Sequence, residues 1–173
     1  EASDLAGMKN IPDAYETDLL VVGGGPAGSC AAVAAARMGV KTIIIDNGNC
    51  LGGMATKGLV GPFMTCYDRY GEQMIIKGIF GEIVDRLVEK NWAIHPEHVR
   101  WESPYTAWIK AGHDHVTPFD PEELKVILET MCGEAGVKIL YHTNFVETIM
   151  NGNAAAGAVV LQKQGLRKIH ARM

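Results

Sequence analysis

The sequence predicts an α/β chain: a parallel sheet covered by helices, followed by a three-stranded antiparallel meander. Three observations carry this. An apolar run, a glycine turn and an alanine-rich helical stretch stand in that order over residues 18–38. A β-branched run, "KTIIID" at residues 41–46, follows at once. The segment 143–173 alternates in polarity and is interrupted by two turn signals.

Each element has its own reason. Residues 1–17 read as an N-terminal extension, without the charged-then-apolar pattern of a signal peptide. "DLLVV" (18–22) reads as a buried strand. Helical character over residues 26–38 stops at Gly39, a C-terminal cap. "KTIIID" is a second buried strand, so strand, helix and strand make a right-handed βαβ unit. Residues 47–119 read as a loop-rich insertion with one helix, because Phe80, Ile83, Val84, Leu87 and Val88 share a face at helical spacing.

Asp120-Pro121-Glu122-Glu123 is a helix start. Asp120 can cap, Pro121 fits the first turn, and Glu123 would complete a capping box. Leu124, Ile127, Leu128, Met131 and Cys132 form its buried face, and "VKILYHT" follows as a third strand. The meander strands are expected at 145–150, 158–162 and 166–171. Their turns fall at Asn151-Gly152 and Gln164-Gly165.

Bulk composition excludes several classes. A length of 173 residues suits one ordinary domain, and 47% hydrophobic with 21% charged residues is normal for a globular one. A net charge of -4 gives no footprint for nucleic acid or a basic membrane anchor. The uncharged stretch 19–36 has the length of a membrane span, but Gly23, Gly24, Gly25 and Pro26 interrupt it and its second half is mostly alanine. Cys30, Cys50, Cys66 and Cys132 form no C-x-x-C pair and read as reduced thiols, implying a cytoplasmic setting. Neither G-x-S-x-G nor a P-loop lysine motif is present, which argues against hydrolase and nucleotide-triphosphatase readings.

The chemistry sits in the glycines. Gly23-x-Gly25-x-x-Gly28 lies between a strand and a helix. The three serve a tight turn, close approach of backbone to a pyrophosphate, and close helix–strand packing. The helix N-terminus then offers N–H groups and a favourable dipole to the phosphates. Asp46 ends the second strand, near the offset of roughly 20 residues expected of an acid that binds a ribose hydroxyl. The fingerprint alone does not choose between NAD and FAD. "CLGGMATKG" adds a second approach at Gly52-Gly53, with Met54, Ala55 and Thr56 able to offer N–H groups, which suits a longer cofactor.

"DLLVVGGGPAGSCAAVAAARMGVKTIIID" followed by "LGGMATKGLVGPF" resembles FAD-dependent oxidoreductases of the glutathione-reductase-like fold, in the broad family related to fumarate reductase and succinate dehydrogenase flavoproteins. The capped helix and meander resemble that family too. The resemblance implies a Rossmann-like FAD-binding domain over residues 18–173, with the meander at 143–173, incomplete at its C-terminus. It implies FAD held at the first turn by Gly23, Gly25, Pro26, Ala27 and Gly28. Asp46 and Asn47 would meet the adenosine ribose, and Gly52, Gly53, Met54, Ala55 and Thr56 the pyrophosphate and ribityl path. Val146 would contact adenine through its backbone.

Family members continue into a further strand and an A-T-G-D-like motif, whose acid binds the ribityl chain. This sequence stops at "LRKIHARM". The resemblance therefore implies that neither core nor site closes without more polypeptide, from the same protein or a second chain, and that this chain alone is inactive. The expected reaction is hydride transfer between a small-molecule substrate and FAD. Three other readings stay open: an NAD(P)-binding dehydrogenase domain, a thiazole-synthase-like biosynthetic flavoprotein, and a non-catalytic nucleotide-binding subunit.

Remaining candidates have plainer readings. His95, His98, His113 and His115 are too loosely spaced for a zinc site and read as loop and surface histidines. No metal is expected. Cys66 reads as a buried structural thiol, with Tyr67, Asp68 and Arg69 beside it unassigned. Trp92, Trp101 and Trp108 read as packing or interface residues.

Overall fold

The computed structural model describes residues 10–99 and 115–173. The order is β1 (Asp13–Thr17), β2 (Leu19–Val22), α1 (Pro26–Arg37), β3 (Thr42–Ile45), α2 (Ile79–Glu89), α3 (Pro121–Ala135), β4 (Lys138–Leu140), β5 (Asn144–Asn151), β6 (Ala154–Gln162) and β7 (Gly165–Ala171). Strands β2, β3 and β4 form a parallel sheet in that order. The second sheet runs β1-β7-β6-β5.

The middle strand explains the layering. All four residues of β3 are buried, and successive side chains of a strand point to opposite faces. Ile44 packs among Val33 of α1, Leu87 of α2, and Leu124, Leu128 and Met131 of α3. Ile43 and Ile45 pack instead against Ala158, Val160 and Ile169 of the meander. The parallel sheet thus lies between a helical layer and the second sheet. Both clusters are buried among the described residues.

The extension read over residues 1–17 joins the fold at its end. Residues 13–17 form β1, parallel to β7 with Tyr15 opposite Ile169. Nothing in "DAYET" alternates strongly enough to announce a strand, because β1 lies at a sheet edge and three of its five residues are exposed.

Asp120 caps α3, accepting from the amides of Glu122 (2.8 Å) and Glu123 (3.4 Å). The other half of the expected box is replaced: the Asp120 amide donates to the carbonyl of Trp92 at 2.8 Å. Gly136, with φ +80°, ends the helix in the left-handed conformation.

The hairpin turns fall one residue from their expected places. The intervening pairs are Gly152-Asn153, one residue later than read, and Lys163-Gln164, one earlier; β6 and β7 begin at Ala154 and Gly165. On the outer edge of β2, the Leu20 amide donates to the Met173 carbonyl (2.9 Å), and the Met173 amide donates to the Asp18 carbonyl (2.9 Å). This is a parallel bridge centred opposite Leu19.

A chain of ion pairs ties the helices together on the outside. Arg37 of α1 grips Glu82 of α2 with two hydrogen bonds, at 2.6 and 2.8 Å. Arg86 bonds both Glu82 (3.0 Å) and Glu134 of α3 (2.6 Å). The Arg37 guanidinium holds the Glu82 carboxyl down to about 2, against burial and with help from Arg86. A lowered folded-state value contributes stability above the ordinary value of 4.5, and loses it as pH falls toward about 2. Replacing Glu82 by Gln is expected to cost under about 1 kcal/mol near neutral pH, since the pair is solvent-screened. In urea unfolding, the difference from the unmodified chain should shrink as pH falls through that window.

Candidate functional site

The carboxyl ends of β2 and β3 meet the first glycine turn. Gly23 takes φ +102°, a conformation that side chains rarely adopt, and its amide donates to the Ile45 carbonyl at 2.9 Å. A Cβ on Gly28 would lie 1.9 Å from the Gly23 carbonyl oxygen, so only glycine lets α1 seat this close to the turn. A Cβ on Gly25 would meet nothing within 4 Å. The backbone at Gly25 therefore borders open space, where an approaching phosphate group needs bare main chain. Gly25 is also the N-cap of α1 and supplies no capping side chain. Pro26 has no N–H, so Ala27 and Gly28 carry the amides that face out of the helix start.

Asp46 stands at the end of β3. Its Oδ2 accepts from the Gly24 amide (2.8 Å), and its Oδ1 from the Gly48 amide (2.7 Å) and the Lys57 ammonium (2.8 Å). Burial pushes this carboxyl up, but Lys57 and the two amides outweigh it, and the group sits below the usual carboxylate range. Beside it is a cavity of about 320 Å³, lined by Val22, Gly23, Asp46, Asn47, Asn144 and Phe145 among others.

The second glycine loop packs on the first. The Gly52 amide donates to the Gly24 carbonyl at 2.7 Å, with Gly52 at φ +96°. A Cβ on Gly53 would come within 3.1 Å of the Gly25 Cα. A 3-10 turn, Gly53–Ala55, follows.

The family model described as "FAD dependent oxidoreductase" matches residues 18–173. The chain belongs to the FAD-dependent oxidoreductase family. Its cofactor is FAD. Over 139 residues it is 30% identical to a chloroplastic geranylgeranyl diphosphate reductase of Oryza sativa subsp. japonica, covering 78% of this chain and 26% of that protein. The fold is similar to that of a 3-ketosteroid dehydrogenase from Rhodococcus jostii, at TM-score 0.63 and 15% identity, over 96% of this chain and 46% of that one. It is also similar to a geranylgeranyl bacteriochlorophyll reductase-like protein from Thermoplasma acidophilum, at TM-score 0.57 and 24% identity, over 92% and 38% of the two chains. The chain spans about a quarter of the length of the curated relative that it matches most extensively.

The residues expected to hold FAD are brought together, with three changes of role. First, the amides of Ala55 and Thr56 are spent inside the second loop, on the carbonyls of Gly52 (3.0 Å) and Gly53 (3.2 Å). Second, the Thr56 hydroxyl donates inward to the Leu51 carbonyl at 2.7 Å, so Thr56 braces the loop. Gly53 and Met54 are left as the amides that this loop can turn toward a ligand. Third, Val146 sits in an irregularity between Phe145 and Glu147 that leaves it out of the β5–β6 ladder. Its neighbours Phe145 and Asn144 line the cavity. These two carried no motif, because they reach the site only through the pairing of β5 with β6.

Other candidates are accounted for by structure. Cys66 is buried, and desolvation pushes its thiol up; burial likewise pushes Cys132 up to about 11. Neither has the lowered value of a reactive thiol. Asp68 builds a turn by accepting from the amides of Tyr70 and Glu72, and Arg69 lies over the Tyr70 ring. Tyr67 stacks on His115. No three His, Cys, Asp or Glu side chains converge on a metal position among the described residues. His113, Trp101 and Trp108 lie outside those residues, and Trp92 packs on the helical core. No helix of the described residues is long and apolar enough to cross a membrane.

A larger cavity, about 580 Å³, lies elsewhere, among Leu59, Pro62, Trp92, Ile94 and Phe119. It touches the second loop at Ala55, but its carboxylate, Asp120, is engaged in capping α3. The smaller cavity beside Asp46 has the polar groups that a nucleotide needs.

Two glycine substitutions separate folding from binding. Gly25→Ala is expected to leave stability within about 0.5 kcal/mol, since its Cβ enters open space. It should weaken FAD binding by roughly tenfold or more, about 1.4 kcal/mol. Gly28→Ala should destabilise the fold by about 2 kcal/mol through the clash with Gly23. Thermal unfolding and flavin titration of both variants check this.

Proposed function

We propose that this chain supplies the FAD-binding part of an oxidoreductase that transfers hydride between a small-molecule substrate and the flavin. The observation that carries the reading is the open face of Gly25 at the uncapped start of α1, with Asp46 and the second glycine loop on either side. Bound FAD supplies the redox-active ring. The chain's own residues bind and orient. The amides of Ala27 and Gly28 meet the pyrophosphate, Asp46 and Asn47 the adenosine ribose, and the amides of Gly53 and Met54 the middle of the cofactor. Val146 and the walls at Asn144 and Phe145 receive the adenine end.

The catalytic acid or base, the ribityl-binding acid and the flavin floor are proposed to come from further polypeptide, belonging to the same protein or a partner chain. The outer edge of β2 supports this. Leu20 already pairs there with Met173, and Val22, two residues on, is half exposed and next to the Gly23 turn. A strand continuing along that edge would arrive at the cofactor's pyrophosphate. A cytoplasmic setting is part of the same proposal, resting on four free cysteines.

Acid release of the bound cofactor, followed by mass determination, tests the reading. FAD is the expected mass; NAD(P), or no nucleotide from a folded full-length protein, would overturn it. Anaerobic bleaching of the flavin by candidate substrates then tests hydride transfer separately from binding.

A further inference from the structure

The geometry points to Lys57 as a positioning residue of the cofactor site: reaching from the second glycine loop across Gly48, it holds the Asp46 carboxylate ready for the adenosine ribose. This rests on the FAD reading above and gives a role to a residue of the second glycine motif to which the sequence assigned none.

The pair is built rather than incidental. The Lys57 ammonium is 2.8 Å from Asp46 Oδ1, and the Asp46 side chain is only 9% exposed. Lys57 follows Thr56, which is fully buried and tied by its hydroxyl to Leu51. The base of the lysine is therefore fixed. Its path runs over Gly48: a Cβ there would lie 2.0 Å from the ammonium nitrogen and 3.0 Å from Asp46 Oδ1. Gly48 is thus the gap through which Lys57 reaches the acid. The Gly48 carbonyl is held in turn by the His142 amide at 3.0 Å, and the Asp46 carbonyl by the Thr143 amide at 3.0 Å.

The chemistry follows from counting acceptors. An ionised carboxylate offers about four lone-pair directions. Gly48 and Lys57 take both on Oδ1, and Gly24 takes one on Oδ2. One acceptor direction is left on Oδ2, and Asp46 lines the cavity that would take the ribose. Lys57 thereby does two things. It neutralises a nearly buried charge and, with the two amides, opposes the uptake of a proton that burial favours. It also pins Oδ1, so that Oδ2 cannot rotate away. Lys57 is the charged side chain that meets Asp46 among the described residues. Because Lys57 stands at the end of the loop that faces the pyrophosphate, it also couples the two walls of the site.

The test is binding to flavin-stripped full-length protein. FAD is titrated by flavin fluorescence, and ADP, which carries the adenosine and pyrophosphate without flavin, by displacement. Lys57→Ala is expected to weaken both by roughly tenfold, the scale of one charge-assisted hydrogen bond at a partly exposed site. Lys57→Arg should restore most of the loss. Gly48→Ala should weaken both in the same sense, because it displaces the ammonium without removing it. The acid limb of FAD binding should move to higher pH in Lys57→Ala, since Asp46 then protonates sooner.

Unchanged affinity in Lys57→Ala would overturn the inference, as would loss of FAD binding with ADP unaffected, or no recovery in the arginine variant. If Lys57→Ala fails to fold, Gly48→Ala decides by the same comparison. Failure of the unmodified protein to bind either ligand would overturn the cofactor reading and this inference with it. An unaffected lysine variant beside a binding-competent parent overturns the inference alone.

Discussion

Strand β3 is buried on both faces, and the rest of the architecture answers to that. Ile44 needs an apolar cover on one side, which the three helices provide; Ile43 and Ile45 need one on the other, which the meander provides. A strand so placed has no solvent-facing side, and its register with β2 and β4 is correspondingly firm. That firmness is what a cofactor site uses. Asp46 is the first residue beyond this strand, and the turn at Gly23 is held to its last residue by a backbone hydrogen bond. Ribose acid and phosphate turn are thus positioned by the most constrained part of the molecule, without a flexible link between them.

Much of the fold could be read from local signals. The two strands of the βαβ unit are uninterrupted apolar runs, and α3 has both a capping aspartate and a terminal glycine. Where reading failed, the missing information was not local. Strand β1 looks unremarkable because an edge strand needs little apolar content, and its partner is the last strand in the sequence. The hairpin turns slipped by one residue because register belongs to the paired strands rather than to either turn dipeptide. The second half of the α3 capping box was filled by Trp92, from a loop whose path no periodicity describes.

The site divides along the same line. Gly23, Gly25 and Gly28 were legible because each answers a steric demand that any other residue would violate or fill. Thr56 could be placed near the cofactor but not oriented; its inward hydroxyl depends on where the Leu51 carbonyl ends up. Phe145 and Asn144 come to the cavity through the sheet and had no spacing to betray them; Lys57 stands within the second glycine motif, but the path of its side chain past Gly48 to Asp46 could not be read from it. Motifs record the contacts made by backbone, which needs particular residues. They are silent about where long side chains reach.

The pairing of β1 with β7 bears on how the chain comes to be folded. His170 on β7 bonds Asp13 on β1 at 2.7 Å across 157 residues of sequence. During vectorial synthesis β1 emerges before β7 and cannot pair with it until the residues between them have been made. Closing so long a loop carries a large entropic cost and slows folding. The βαβ unit, with its short connections, can organise much earlier. The nucleotide-facing turn can therefore form while β1 still waits for β7, and the sheet beneath it is sealed later.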